Sequence, residues 1–195
     1  MFGWLRRGLA GKDCARVETL KAGLKAPSFT LQAIDGKNFS LAEALAKGPV
    51  VLAFFKKSCP VCQYAFPLYQ RLYAAYGNRG VTLAGVSQNL KKETEAFAQK
   101  FGVTFPVLLD DTSTYPVSNA YGLTNVPTVF WISQDGKIEI SSVGWSRKDF
   151  EAIGEKMAVA GKMPPAQLIQ ARSRLPISVL VEGRKIDPRS RIVPW

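Results

Sequence analysis

Six consecutive apolar residues, Val50 to Phe55, run almost directly into Cys59-Pro60-Val61-Cys62, and no other stretch constrains the fold as much. An apolar run without polar alternation is what a strand buried on both faces requires, and such strands belong to parallel sheets covered by helices. Proline suits the first helical position, where its missing N–H would have had no partner. The junction therefore predicts a buried strand, a short loop and a helix with Cys59 as its cap. A sulfur at a helix start faces partly positive N–H groups, which favours its thiolate at neutral pH. Two cysteines three apart can close a small disulfide ring with little backbone movement, so this junction points to thiol chemistry.

The other common use of such a pair is half of a zinc site. A structural zinc site takes four Cys or His ligands, and this chain has three cysteines and no histidine, so a complete one could form only between chains. No metal and no cofactor are expected, and no glycine-rich phosphate motif is present. The lack of histidine also excludes His-based triads and haem attachment, leaving cysteine to carry covalent catalysis. A length of 195 residues with 47% hydrophobic content fits one domain with extensions.

Residues Met1 to Gly11 are interrupted by Arg6 and Arg7, which leaves no apolar stretch of secretory length, and no later stretch is long enough to span a bilayer. A cytoplasmic location is the expectation. Of the net charge of +11, residues 26–161 contribute only +2, from 13 basic and 11 acidic side chains, so the two ends are the basic parts. Scattered solvated charge is the ordinary explanation; a membrane surface or an acidic partner is the alternative, and nothing suggests nucleic-acid reading.

The middle alternates strand and helix. Strands are predicted at Phe29 to Ile34, Val50 to Phe55, Val81 to Val86 and Pro106 to Leu109, and a hairpin at Thr128 to Ser133 and Lys137 to Ser142 across Gln134-Asp135-Gly136. Helices are predicted at Ser40 to Ala46, Pro60 to about Tyr76 with a kink at Pro67, Lys91 to Phe101, and Pro116 to Tyr121. A last helix starts at Ser146, with Asp149 in capping-box position and Phe150, Ile153 and Met157 on its apolar face. Such an order implies an α/β sandwich around a central mixed sheet flanked by helices. The expected organisation is a basic N-terminal extension (1–23), one domain (24–161) and a basic tail (162–195), in which Ile177 to Val181 is apolar enough for an edge strand.

An apolar strand into Cys-Pro-Val-Cys, a helix carrying Ala65-Phe66-Pro67, and Val126-Pro127-Thr128 opening a hairpin together resemble the thioredoxin-like superfamily. The segment from Val81 to Asp110 is similar to the insertion of its redoxin branch, the alkyl hydroperoxide reductase/thiol-specific antioxidant and TlpA/ResA-type proteins. The resemblance covers roughly residues 24 to 161. It implies a thioredoxin-like fold, a cis peptide bond between Val126 and Pro127 facing the cysteines, and a substrate groove formed by Pro60, Val61, Val126 and Pro127.

The activity implied is thiol-disulfide exchange with a protein disulfide or a small thiol, in which Cys59 is the nucleophile and Cys62 resolves the mixed disulfide. An electron donor is required and is not named by the sequence. Where thioredoxins carry a buried carboxylate this chain has Ala53, and where ResA-type proteins carry a glutamate it has Ala65. Deprotonation of Cys62 then falls to water or to a carboxylate from elsewhere, such as Asp110 or Asp111. Lys56 and Lys57 stand where thioredoxins have other residues; they either stabilise the Cys59 thiolate or point to solvent. Two rival functions remain. A peroxiredoxin-like peroxide reductase would need proline at Leu52 and threonine or serine at Lys56, and has neither. A redox-regulated binding module would use the pair to switch the affinity of the basic ends. Cys14 is a distant resolving or attachment thiol, or simply a tolerated one.

Overall fold

The computed structural model describes residues 18–77 and 79–166. Cys14, most of the basic N-terminal segment and the apolar stretch Ile177 to Val181 lie outside the described residues.

A small antiparallel pair opens the domain, β1 (Thr30–Gln32) with β2 (Asn38–Ser40), turning through Asp35-Gly36. The sequence predicted one longer strand from Phe29 and missed β2, because three residues leave too little alternation to read. Ser40 then caps α1 (Leu41–Lys47) by accepting from the Glu43 N–H. β3 (Val50–Phe55) leads into α2 (Pro60–Tyr76), followed by β4 (Thr82–Ser87), α3 (Lys91–Lys100), β5 (Val107–Leu109) and α4 (Pro116–Ala120). The hairpin β6 (Thr128–Ile132) and β7 (Ile138–Val143) precedes α5 (Arg147–Ala160).

The main sheet has the order β5-β4-β3-β6-β7, with β3 parallel to β4 and antiparallel to β6. All six residues of β3 are buried, since a central strand covered on both faces has no solvent side. Its side chains alternate between two cores. Val51, Ala53 and Phe55 pack with Cys62, Phe66 and Leu72 of α2, Phe97 of α3 and Phe150, Ile153 and Met157 of α5. Val50, Leu52 and Phe54 pack with Leu41 and Ala44 of α1 and Val117 and Tyr121 beyond. The result is a helix–sheet–helix sandwich.

The chain joins this body a little before residue 24. Leu20 N–H donates to the Tyr121 carbonyl at 3.1 Å and Gly23 N–H to the Ile138 carbonyl at 2.8 Å. At the other end the Tyr76 hydroxyl donates to the Pro164 carbonyl and accepts from the Ala166 N–H. In α5, Ser146 accepts from the Asp149 N–H, but the Asp149 carboxylate turns to the Ser142 hydroxyl at 2.7 Å, so the capping box is closed from one side only.

Candidate active site

Strand β3 delivers the chain to the carboxyl end of the sheet's central strand at Phe55, and the next four residues make the step into α2. That step is held by a residue just beyond β4 and by one in the first turn of α2. The Lys57 N–H donates to Asn89 Oδ1 at 2.8 Å, and Gln63 Nε2 donates to the Lys57 carbonyl at 2.8 Å. Cys59 is the N-cap of α2, its sulfur accepting from the Cys62 N–H at 3.3 Å, with Pro60 as the first helical residue.

Both cysteines are free thiols, and they differ in exposure: Cys59 is half-buried, whereas Cys62 is fully buried. Burial pushes the Cys62 thiol far above its ordinary range, and its hydrogen bond with the Cys59 sulfur adds to this. A charged sulfur in that apolar pocket would lose its hydration without gaining a full partner. Ala53 and Ala65 are both fully buried in the same cluster as Cys62, so these two positions offer it no carboxylate.

The Val126–Pro127 peptide bond is cis. It stands directly against the nucleophile position, with the Cys59 thiol donating to the Val126 carbonyl at 3.3 Å. Next to it, the Gly144 N–H donates to the Pro127 carbonyl at 2.7 Å, which brings Trp145 alongside. Trp145 meets Tyr64 edge-on at 5.3 Å between ring centroids, and Val61 and Tyr64 are 42% and 38% exposed. The start of α2 beside the sulfur thus presents apolar surface on this side.

The two lysines have partners of their own. Lys57 is paired with Glu93, and the Lys56 ammonium lies over the Tyr115 ring. The two carboxylates considered for Cys62 serve local structure instead. Asp110 is buried and accepts from the Val117 N–H, the Ser118 N–H and the Ser118 hydroxyl; Asp111 accepts from Ser113 and Thr114.

Several neighbours were not singled out from sequence: Gln63, Asn89 and Glu93, which hold the loop, and Trp145. Tyr69 is buried near Cys62, and burial raises its phenol, with the negative charges of Cys62 and Asp149 as lesser contributions. A signal for part of this set was present. Ser87-Gln88-Asn89 is a polar triplet at the carboxyl end of an apolar strand, the place where open α/β sheets form sites.

Residues 22–141 match the AhpC/TSA family. The thiol-disulfide oxidoreductase ResA of Geobacillus thermodenitrificans is 34% identical over 128 residues, which is 65% of this chain and 72% of that protein. ResA of Bacillus subtilis is 33% identical over 122 residues, 62% of this chain and 66% of that one. A solved thiol:disulfide interchange protein of the thioredoxin family from Chlorobium tepidum superposes with a TM-score of 0.60 at 26% identity, over 72% of this chain and 99% of that one. With a match over most of the domain and a shared thioredoxin-like fold, the chain belongs to the AhpC/TSA family.

Proposed function

We propose that this protein is a thiol-disulfide oxidoreductase working through the Cys59–Cys62 pair. The observation that carries it is the difference between the two sulfurs, one half-exposed at a helix start beneath the Val126 carbonyl and the other fully buried one turn deeper. In the reducing direction Cys59 attacks a substrate disulfide and forms a mixed disulfide. Cys62 then displaces the substrate as a thiol, closing the Cys59–Cys62 disulfide. The buried Cys62 must lose its proton for this second step, and with alanine at positions 53 and 65 that proton passes to solvent and not to a carboxylate at either position. An extended peptide can lie along Val61 and Pro127, its backbone facing that of Val126.

The test is insulin reduction by the full chain with dithiothreitol as electron donor. Cys59→Ser is expected to abolish turnover, and Cys62→Ser to accumulate a mixed disulfide with a substrate thiol. Full activity in Cys59→Ser would overturn the assignment. Peroxide consumption in place of insulin reduction would favour the peroxide-reductase function instead. A cytoplasmic location belongs to the same proposal and rests on the sequence alone; fractionation of cells producing the full chain tests it.

A further inference from the structure

A polar cavity of about 420 Å³ opens beside the thiols, its wall including Lys56, Gln88, Tyr115, Asn119, Asn125 and Val126. Two of these residues also border the nucleophile: the Lys56 carbonyl accepts from the Cys59 N–H at 3.2 Å, and the Val126 carbonyl accepts from its thiol at 3.3 Å. Cavity and sulfur are therefore immediate neighbours.

The charge in this cavity is one-sided. Lys56 is half-buried, and its ammonium lies 5.4 Å from the Tyr115 ring centroid. The ring steadies a cation without neutralising it. Among the described residues Lys56 takes part in no ion pair, unlike Lys57, which is held by Glu93. The nearby carboxylate of Asp110 is not in the wall; two backbone N–H groups and the Ser118 hydroxyl occupy it. Gln88 Nε2 donates to that same hydroxyl at 2.9 Å, and Asn119 Nδ2 to the Thr114 carbonyl at 2.7 Å, so each amide retains a second N–H. An unpaired cation among amide donors, with no acidic side chain in the wall, is a complement for an anion.

We propose that this cavity is a carboxylate subsite that gives the enzyme a preference for anionic disulfides. It rests on the exchange function and adds the substrate class. The carboxylate belongs either to a small acidic thiol or to an acidic side chain beside a cysteine in a protein. In the reaction the Cys59 thiolate attacks one sulfur of RS–SR, the S–S bond breaks, and RS⁻ leaves and is protonated by water. Cys62 releases its proton to solvent and attacks the Cys59 sulfur, expelling the second RS⁻, which is protonated in turn. Two electrons pass from the dithiol to the substrate, giving two RSH, while the carboxylate stays bound to Lys56 and unchanged.

The experiment measures the rate at which three symmetrical disulfides of similar size oxidise the reduced full chain: 3,3′-dithiodipropionate (anionic), 2-hydroxyethyl disulfide (neutral) and cystamine (cationic). The anionic probe should react fastest and the cationic one slowest, with the spread narrowing as salt is added. Lys56→Gln should lower the anionic-to-neutral ratio about fivefold, the scale of one partly screened charge pair. Lys56→Arg should keep the ratio, Lys56→Glu should reverse it in favour of cystamine, and Lys92→Gln, the same charge removed from an exposed site on α3, should leave it alone. Equal rates for the three probes, an unchanged ratio in Lys56→Gln, or an arginine variant that behaves like glutamine would overturn the proposal. Failure of all three disulfides to oxidise the pair would overturn the exchange function itself. Peptide disulfides with Glu or Gln beside the cysteine separate the two sources: a Glu preference assigns the site to protein substrates, and its absence alongside a dithiodipropionate preference assigns it to small thiols.

Discussion

Two sulfurs one turn apart on the same helix live in different solvents. Cys59 caps α2 at the surface, while Cys62 sits among Ala53, Ala65 and Phe66 with no exposure. Because the thiolate is the reactive form and burial holds Cys62 protonated, iodoacetamide at neutral pH should modify Cys59 well before Cys62. Peptide mass spectrometry after short pulses distinguishes the two and also Cys14; faster labelling of Cys62 would reverse the roles. The cysteines and their spacing were legible in the sequence because they depend on local residue type, whereas the place of Val126-Pro127 against Cys59 followed only from the resemblance to the thioredoxin-like superfamily. The partners of Lys56 and Lys57 were not. Where a long, flexible amine goes is decided by which acid or ring the tertiary fold brings within reach, here Glu93 and Tyr115.

Among the elements, α4 shows how a short helix is held from outside. Asp110, at the end of β5, caps its first turn, and the chain then turns back at Gly122 against the entering N-terminal segment. Gly122 has φ +62, and a Cβ there would stand 2.1 Å from the Glu18 carbonyl oxygen. Both the left-handed backbone and the lack of room disfavour any side chain. Gly122→Ala should therefore cost about 2 kcal/mol or more, roughly 4–8 °C in Tm for a domain of this size. Thermal unfolding followed by circular dichroism checks it, and an unchanged Tm would mean that residues 18 and 19 do not pack there. From sequence, Asp110 was a candidate proton acceptor and Gly122 was silent, because neither the cap nor the close approach involves residues adjacent in the chain.

For the whole molecule, the buried acids set the alkaline limit. Burial raises Cys62, Tyr69 and Tyr121 above their ordinary values of 9.0 for the thiol and 10.0 for the phenols, so the folded state keeps protons that the unfolded state gives up. Between neutral pH and about pH 9 these three groups leave stability level, and it should fall as the pH rises beyond that, by at most about 1.4 kcal/mol per pH unit for each group. Urea midpoints between pH 7 and 10.5 test this, and Cys62→Ser should remove the part of the fall that begins first, near pH 9. A midpoint that rises above pH 9 would contradict it. The sequence by itself determined the strand–helix order, the sandwich of helices on a mixed sheet and the redox pair, because hydrophobic period, proline and glycine placement and cysteine spacing act over a few residues at a time. Only the tertiary structure decided which carboxylates cap helices, that Lys57 and not Lys56 meets an acid, and that a polar cavity opens beside Cys59. Those depend on side chains just beyond β3 and β4, on α4 and in the loop before β6 meeting at the carboxyl ends of β3 and β4, a meeting set by strand order and not by any single stretch of chain.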